Sequence, residues 1–409
     1  MRGAALQAPR RVSTGAGMAS RYDVVVVGAG IHGAGAAQAA AASGHRVLLL
    51  EQTAVAAGSS SRSSKLIHGG LRYLETGQIH LVRESLQERS ILLRIAPELV
   101  RLQRFLLPIY RQTRRRPWQL RVGLTLYALL AGMPRAARFG SVPRREWDRL
   151  DGLDTADLQA VFWYHDAQTD DRLLTEAVVR SAQSLDAELA LPARFIAAAV
   201  DLDGVQVRYA DAGGERECRA RVLINAAGPW ADDVARTITP AIPVPRLERV
   251  QGAHILLPRA LSQDIYYVES PRDGRAIFLM PWYGQLLVGT TETRFSGVPS
   301  QVTPTAAEIH YLLGVLKKYF PAYRGTGDAD ITASFAGLRV LPGGAGHAFH
   351  RSRETMLVPD RTDRPRVLSI YGGKLTTWRA VAARVLRMVR ASLPPRRARA
   401  RTDRLRLSP

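Results

Sequence analysis

Cysteine is almost absent from this chain of 409 residues, which contains one, Cys218. A single cysteine excludes an intramolecular disulfide and any zinc or iron–sulfur site built from a cysteine cluster, and no metal site is predicted. Long apolar runs are also lacking, because none approaches the roughly 20 residues that a helix needs to span a bilayer. Residues 1–20 have no central apolar stretch of the kind found in a secretory signal, so we expect a disordered leader there.

Lysine and acidic residues are scarce relative to arginine. The chain has 57 Lys+Arg against 36 Asp+Glu, a formal net charge of +21, and lysine occurs only at positions 65, 317, 318 and 374. Such a charge fits a solvated basic surface, an anionic membrane, an anionic substrate or nucleic acid. Stacking aromatics are not interleaved with the basic residues and no nucleic-acid motif is present, so no nucleic-acid partner is predicted.

The first ordered pattern is a strand–turn–helix–strand unit. Residues 22–27 form a nearly continuous valine run, which is typical of a buried parallel strand. Residues 34–42 are alanine-rich and predict a helix, and residues 46–50 predict a second apolar strand. Together they form a βαβ unit with a right-handed crossover.

Three glycines, Gly28, Gly30 and Gly33, occupy the turn that opens this helix. In this context the first permits a tight turn, the second lets the main chain approach a pyrophosphate, and the third allows close packing of helix and strand. Free N–H groups at the start of the helix would face the anion. Glu51 ends the second strand at the offset expected for a residue that accepts hydrogen bonds from ribose hydroxyls, and its charge disfavours NADP.

FAD and NAD both fit this unit. An NAD enzyme would usually continue with further βα units, whereas residues 54–70 here form a loop of small and polar residues, "AVAAGSSSRSSKLIHGG". Its hydroxyls and N–H groups can reach a pyrophosphate and a flavin ring edge, so FAD is favoured. The turns "AAGPW" near residue 228 and "GGKLTTWR" near residue 373 also follow strands. The N–H groups of the Gly-Gly turn would stabilise negative charge at the pyrimidine edge of a flavin.

Nucleotide-binding elements thus occur at the start, middle and end of the chain, with antiparallel-looking strands between them. We expect an α/β fold, α+β overall, with a discontinuous Rossmann-like FAD-binding domain around a parallel sheet and a substrate-binding cap domain with an antiparallel sheet. The FAD-binding domain is predicted over residues 21–95, 160–238 and 335–392, the cap over 96–159 and 239–334, and a basic disordered tail over 393–409.

Seven motifs in one order carry a resemblance to a known family. They are "SSRSSKLIHGGLRYLE", "YHDAQTDDRL", "NAAGPW", "GAHILLP", "GTTE", "GLRVLP" and "GGKLTTWR". Together they resemble the FAD-dependent glycerol-3-phosphate dehydrogenases, within the amino-acid-oxidase-like flavoproteins, from about Tyr22 to Arg379. We expect a short form without the helical C-terminal domain that many members carry.

The resemblance implies a glutathione-reductase-type FAD domain and a defined reaction. Members oxidise sn-glycerol 3-phosphate to dihydroxyacetone phosphate by hydride transfer from C2 to flavin N5, and pass the electrons to a quinone or another acceptor. His32 stands where many members have asparagine. The cofactor-binding residues that the resemblance implies are Gly28, Gly30, Ile31, His32, Gly33, Glu51, Ser61, Ser63, Ser64, Lys65, Leu66, His68, Gly228, Trp230, Gly373, Lys374, Leu375 and Thr376.

The same resemblance implies a substrate site rich in positive charge. A phosphate dianion needs several cationic donors, and guanidinium groups bind it in a bidentate manner. His254 matches a family histidine proposed as the base, although a structural histidine within a strand is an equal alternative. Arg339 would stabilise the developing alkoxide. The implied substrate-binding residues are Arg72, Tyr73, Thr290, Arg339, Arg353 and Lys374.

Two alternatives concern the substrate and the location. An oxidase or dehydrogenase of an amine or a 2-hydroxy acid could use the same scaffold, but an amine would need fewer cations and a carboxylate usually one arginine fork. Residues 111–135 are apolar and bracketed by arginines, which predicts either a helix in the lipid interface or a helix packed within the second domain. With a quinone as acceptor, we expect a cytoplasmic protein, peripheral on the cytoplasmic face of the inner membrane; a homodimer is left open.

Overall fold

The structure is a computed structural model that describes residues 20–261, 264–343 and 354–409. Residues 1–19 of the predicted leader and the predicted substrate residue Arg353 lie outside the described residues. Two β-sheets organise the described part of the chain, with helices packed around them. The helices are α1 (Ile31–Ala42), α2 (Ile79–Ile95), α3 (Pro117–Leu130), α4 (Asp171–Gln183), α5 (Ala231–Arg236), α6 (Ala306–Tyr319) and α7 (Trp378–Val389).

The first sheet contains the predicted βαβ unit at its centre. Its order is β11-β8-β9-β10-β1-β2-β7, and β19 pairs with β10 and with β18. Neighbours β1, β2, β10 and β19 run parallel. The strands are β1 (Ser20–Val27), β2 (Val47–Leu50), β7 (Glu188–Ala190), β8 (Ala193–Val200), β9 (Val205–Asp211), β10 (Gly214–Asn225), β11 (Ile238–Thr239), β18 (Met356–Pro359) and β19 (Val367–Tyr371).

Strand β1 is buried on both faces, which explains its continuous valine run. Val24 and Val26 pack into the core that holds α1, α4 and α7, whereas Val25 and Val27 pack into a separate core on the opposite face. Alternate side chains of a strand point to opposite faces, so a strand covered on both sides needs apolar residues at every position. This burial fixes the sheet edge from which the glycine turn leaves.

The second sheet is largely antiparallel. Its order is β16-β12-β15-β14-β13-β4-β6-β3, with β17 paired to β12 and β5 to β6. The strands are β3 (Leu66–Ile67), β4 (Val100–Tyr110), β5 (Gly140–Ser141), β6 (Leu158–Thr169), β12 (Leu247–Leu257), β13 (Ile265–Glu269), β14 (Ala276–Trp282), β15 (Gln285–Gly289), β16 (Thr293–Phe295) and β17 (Ala333–Pro342). The predicted architecture of one parallel-centred sheet and one antiparallel sheet is confirmed.

Two of the predicted domain boundaries fall inside strands of the second sheet. Residue 160 lies in β6, which pairs with β4 over its whole length, and residue 335 lies in β17, which pairs with β12. The alternation of apolar residues identifies a strand but not the sheet that it joins, because pairing depends on residues distant in the chain. The chain therefore enters and leaves the second sheet outside the predicted limits.

The basic tail also differs from its prediction as a disordered segment. Leu407 is 1% exposed and its N–H donates to the Ile95 carbonyl at 2.7 Å. The N–H of Arg399 donates to the Ala42 carbonyl at 2.8 Å, and the guanidinium of Arg396 binds Asp23. The basic composition of the tail predicted a solvated segment. The residues that the tail contacts lie far away in sequence, so no local pattern indicates this packing. The tail thus packs across the helical layer of the first sheet.

Candidate active site

A cavity of about 970 Å³ is lined by residues of both sheets. The carboxyl ends of β1, β2, β10 and β19 border it on one side, and parts of β12, β14 and β17 border it on the other. In open α/β sheets, ligands bind at this edge of the parallel strands. Its volume lies near the upper end of the range for ligand sites, which suits a large dinucleotide together with a small substrate.

The glycine turn forms one end of the cavity. A Cβ atom at Gly33 would lie 1.8 Å from the Gly28 carbonyl oxygen, so only glycine permits this approach of helix and turn. Glu51 Oε2 accepts a hydrogen bond from the Ala29 N–H at 2.8 Å, which fixes the carboxylate beside the turn. The Ile31 N–H at the start of α1 donates to Ser60 Oγ at 2.9 Å. The glycine turn, the N-terminus of α1 and this carboxylate fit the pyrophosphate and ribose of a dinucleotide.

The backbone of β8 was missed by the sequence reasoning. Ala193 to Ile196 line the cavity, and the Ala193 N–H donates to the Glu51 carbonyl at 2.7 Å. This stretch follows no recognisable motif, because a backbone that lines a site constrains side-chain identity only weakly. It lies beside Glu51, the residue that the sequence predicts to bind the ribose.

A second glycine turn faces the cavity at the other end. Gly373 has φ +107, and a Cβ there would lie 2.1 Å from Nε2 of His32, so a side chain is excluded. Burial lowers the pKa of His32 from 6.5 to about 4, with nearby Arg384 adding to the effect, so this ring is neutral at neutral pH. A backbone segment without a side chain leaves room for the flat ring of a flavin to pack against it.

Most of the predicted cofactor residues line this cavity. The exceptions are Gly33, which packs against Gly28, and Ser61 and Lys65, which lie behind the lining. The residues that line it are Gly28, Gly30, Ile31, His32, Glu51, Ser63, Ser64, Leu66, His68, Gly228, Trp230, Gly373, Lys374, Leu375 and Thr376.

Lys65 holds the serine-rich loop together from behind. Its ammonium donates to the Ser61 carbonyl at 2.6 Å and to Asp171 Oδ1 at 2.7 Å, in a buried ion pair. The other carboxylate oxygen of Asp171 accepts from the Ser63 N–H at 2.9 Å. A lysine in a cofactor motif therefore orders the loop here and is not placed to touch a ligand in the cavity.

His68 ties the same loop to the second glycine turn. Its N–H donates to Thr376 Oγ1 at 3.0 Å, and the same hydroxyl donates to the His68 carbonyl at 3.3 Å. The segments that contain Lys65 and Lys374 are far apart in sequence but share this contact. Both predicted flavin-contacting loops thus lie side by side.

Positive side chains cluster in two places along the cavity. Arg72 and Lys374 flank the ring of Tyr73, with the guanidinium carbon 5.3 Å and the ammonium nitrogen 3.9 Å from its centroid. Arg339 donates to Thr290 Oγ1 at 3.2 Å. All five predicted substrate residues within the described chain line the cavity. The arrangement can hold a small dianion.

The two clusters are neighbours, because the turn before Lys374 packs on the strand that carries Arg339. A Cβ at Gly372 would lie 2.8 Å from the carbonyl oxygen of Val340. Sequence reasoning missed Arg275, which also lines the cavity and donates to the Glu292 carbonyl at 2.9 Å. Glu292 in turn lies 4.0 Å from Arg339. Among the many arginines of this chain, no motif distinguished Arg275.

His254 does not line the cavity. It is 1% exposed, its ring stacks on Phe335 with centroids 4.8 Å apart, and its Nε2 lies 3.0 Å from Ser64 Oγ. Burial holds its pKa well below 6.5, and the charges of Arg339 and Lys65 lower it further. His254 is therefore a neutral imidazole that reaches the cavity through the Ser64 hydroxyl. Among the described residues, no cluster of His, Cys, Asp or Glu is arranged to hold a metal.

Known proteins share this sequence pattern. Residues 23–377 match the DAO family, described as FAD dependent oxidoreductase. The D-erythritol 1-phosphate dehydrogenase of Brucella abortus is 34% identical, covering 91% of this chain and 74% of that protein. The glycerol-3-phosphate dehydrogenase of Pseudomonas aeruginosa is 37% identical over 90% of this chain and 72% of its own. The aerobic glycerol-3-phosphate dehydrogenase of Escherichia coli is 34% identical, with 89% and 72% covered.

Solved structures share the fold. The glycerol-3-phosphate dehydrogenase from Bacillus halodurans complexed with FAD superposes with a TM-score of 0.73 at 26% identity, covering 95% of this chain and 68% of that one. The L-α-glycerophosphate oxidase from Mycoplasma pneumoniae with FAD bound gives 0.73 at 18% identity, with 93% and 98% covered. The resemblance drawn from the motifs is confirmed, and FAD is the cofactor. This chain belongs to the family of FAD-dependent oxidoreductases that includes the glycerol-3-phosphate dehydrogenases.

Proposed function

We propose that this protein oxidises sn-glycerol 3-phosphate to dihydroxyacetone phosphate. The observation that carries the proposal is the placement of Arg72, Arg339 and Lys374 along one cavity, next to the glycine turn at Gly373. A phosphate ester carries two negative charges, and several cationic donors are needed to desolvate and orient it. An amine substrate would be repelled by these charges, and a 2-hydroxy acid would use only part of them.

The residues divide the chemistry between binding and proton transfer. FAD, when bound, supplies the acceptor for the hydride from C2. Arg339 stabilises negative charge as it develops on the C2 oxygen, because a fixed cation in a partly desolvated site acts strongly there. As the hydride leaves C2, the hydroxyl proton becomes strongly acidic and passes to Ser64 Oγ, while the Ser64 proton passes to Nε2 of His254, 3.0 Å away. The low pKa of His254 makes it a weak base, so it accepts this proton only as the hydride leaves.

A four-carbon polyol phosphate is a second candidate substrate. The relative from Brucella abortus is named D-erythritol 1-phosphate dehydrogenase and is 34% identical to this chain. Both esters have a terminal phosphate and a neighbouring secondary alcohol, so the same cationic side chains serve either.

The test is a comparison of kcat/KM with an artificial electron acceptor. Glycerol 3-phosphate, D-erythritol 1-phosphate, lactate and sarcosine are supplied in turn to the FAD-loaded protein. We expect the three-carbon ester to give the highest value and both compounds without phosphate to give none. A higher value for the four-carbon ester would move the substrate to the second candidate, and turnover of lactate or sarcosine alone would refute both.

We further propose that α3 docks the protein on an anionic membrane, where a quinone accepts the electrons. No helix in the described part of the chain combines the length and the apolar character that crossing a bilayer requires. The helix is two-faced: Leu120, Leu124 and Tyr127 are buried. The opposite side exposes a stripe of large apolar residues, Trp118, Val122, Leu126 and Leu129, followed by Met133.

Positive charge lies next to this apolar stripe. Arg114 and Arg116 precede the helix and Arg121 lies within it, and all three are exposed. An amphipathic helix with basic flanks and an exposed tryptophan binds in the interfacial plane, and each basic residue adds about 1 kcal/mol of attraction to anionic lipid. These features support the predicted peripheral attachment to an anionic membrane, and the cytoplasmic face of the inner membrane stays a prediction.

Sedimentation with vesicles tests the docking. The FAD-loaded protein is mixed with vesicles that contain phosphatidylglycerol or only phosphatidylcholine. We expect binding to the anionic vesicles, weakened by salt, and a loss of about tenfold in affinity for the double variant Trp118→Ser, Leu129→Ser. The matched control Leu202→Ser changes an exposed leucine elsewhere. Equal binding by all three proteins would refute α3 as the contact.

A further inference from the structure

A buried polar network holds one peptide N–H of the substrate loop. The Gly69 N–H donates to Tyr127 Oη at 2.8 Å and to Asp166 Oδ1 at 3.4 Å. Tyr127 Oη donates to Asp166 Oδ2 at 2.7 Å. The guanidinium of Arg89 donates to Asp166 and to the His165 carbonyl. The network thus joins three elements: Arg89 comes from α2, Tyr127 from α3 and Asp166 from β6.

The held amide lies directly before the residues that enter the cavity. Gly70 has φ +77 and leads into a short 3₁₀ turn, Leu71–Leu74, which carries Arg72 and Tyr73. The Tyr73 N–H donates to the Gly70 carbonyl at 2.9 Å, and a Cβ at Gly70 would fall 2.2 Å from the Tyr73 ring. The held N–H fixes the His68–Gly69 peptide, and the left-handed Gly70 that follows then sets where both side chains lie.

The network itself is remote from the ligand space. Arg89, Asp166 and Tyr127 are 1%, 1% and 3% exposed, and none of them lines the cavity. A buried Arg–Asp pair costs much of its own attraction in desolvation, and apolar residues of the same volume are often as stable. Its presence beside a functional loop therefore points to a role in fixing the conformation of that loop.

We propose that Tyr127, Asp166 and Arg89 are positioning residues that hold Arg72 and Tyr73 against the phosphate of the substrate. This inference rests on the proposed function, because it assigns the network to the phosphate end of that substrate. Loosening the network lets the 3₁₀ turn move, so it weakens substrate binding more than it slows the transfer of hydride to FAD.

Tyr127→Phe removes the hydroxyl and leaves the ring in place. We expect KM for glycerol 3-phosphate to rise by roughly five- to tenfold, since one buried hydrogen bond is lost, while kcat changes less than twofold and FAD remains bound. In hydrogen–deuterium exchange of the FAD-loaded protein, the peptide that covers residues 69–73 should exchange faster. Tyr110→Phe is the matched control, because its buried hydroxyl donates to the Asp154 carbonyl and it does not line the cavity.

Two results would overturn the proposal. An unchanged KM together with unchanged exchange over residues 69–73 would show that the hydroxyl does not position the loop. An equal rise in KM for Tyr110→Phe would show a general loss of stability instead. If the wild-type protein does not oxidise glycerol 3-phosphate, the proposed function fails, and the exchange of residues 69–73 in Tyr127→Phe then decides the positioning role by itself.

Discussion

Arg339 combines the two properties expected of a residue that acts on the substrate: it carries a permanent charge, and it lines the cavity beside Thr290. Replacing it with leucine keeps most of its volume and removes the charge. We expect Arg339→Leu to lose at least about 100-fold in kcat/KM, the scale seen when a preorganised electrostatic donor is removed. FAD should stay bound, which the visible absorbance of the purified protein reports.

The control for this variant is Arg172→Leu, on the exposed side of α4, where the guanidinium pairs with Glu176. Exposed pairs of this kind contribute little, so activity should stay within about twofold. Full turnover by Arg339→Leu would mean that the positive charge of Arg339 is not used in the reaction.

His32 makes a prediction about acid stability. Its pKa is lowered from 6.5 to about 4 in the folded protein, mainly by burial. Between these values the unfolded chain binds a proton that the folded protein does not, so the free energy of unfolding falls as the pH drops from 6.5 towards 4. Removing the histidine should therefore make stability less sensitive to acid.

The measurement is the melting temperature of wild type and His32→Asn at pH 7 and at pH 5. We expect the drop between the two conditions to be smaller in the variant, by about 2 °C. His310→Asn, which changes an exposed histidine beside Asp328, serves as the matched control. The same acid-induced drop in His32→Asn as in wild type would contradict the assignment.

Single residues were predictable from the sequence where a motif fixed the backbone around them. Arg72 and Lys374 follow glycine turns, and both line the cavity. The burial of His254 behind Ser64 could not be predicted, because it depends on how β12 packs against Phe335 on β17. Arg275 had no local signal for the same reason.

At the level of elements, the glycine turn between β1 and α1 carries a severe steric constraint. A methyl group at Gly33 would collide with the Gly28 carbonyl, which is backbone and cannot rotate away. We expect Gly33→Ala to lower the melting temperature by several degrees and to be purified with little FAD. The ratio of visible to ultraviolet absorbance measures the cofactor content.

Gly314→Ala is the matched glycine-to-alanine control for Gly33→Ala. Gly314 lies inside α6, and a Cβ there would meet nothing within 4 Å. Because alanine is the better helix former by about 1 kcal/mol, this variant should be at least as stable as wild type. If Gly33→Ala retained both cofactor and stability, close packing at the turn would not be required.

The βαβ unit was predictable because its signals are local: a valine run, a glycine turn and an acid at a fixed spacing. Helix α3 was only half predictable. Its apolar character was visible in the sequence, but the division into a buried face with Tyr127 and an exposed face with Trp118 depends on which side meets the second sheet and α2.

At the scale of the whole molecule, the tail packs against α1 and α2 in the helical layer of the first sheet. Leu407 belongs to the core that also contains Val24 and Trp378. We expect Leu407→Ala to destabilise the protein by about 2–5 kcal/mol, as for other buried leucines, and to lower the melting temperature by several degrees. Leu202→Ala, at a position that is 90% exposed, should change nothing. No shift for Leu407→Ala would restore the prediction of a disordered tail.

The two-sheet architecture could be predicted because nucleotide-binding elements and antiparallel-looking strands occupy separate stretches of the sequence. The domain limits and the packing of the tail could not be predicted. β6 and β17 carry ordinary strand patterns, and their membership of the second sheet follows from pairing with β4 and β12. The tail lacks an apolar period, and its partners on α1 and α2 are more than 300 residues away. Long-range pairing is the information that local patterns lack.

In the proposed reaction, fixed cations hold a phosphorylated alcohol against the flavin. Anaerobic mixing of the FAD-loaded protein with glycerol 3-phosphate tests it most directly, because loss of the visible flavin band reports hydride transfer without any electron acceptor. We expect rapid bleaching by this ester and none by lactate or sarcosine. A flavin band that persists with the ester but is bleached by either unphosphorylated compound would contradict the account.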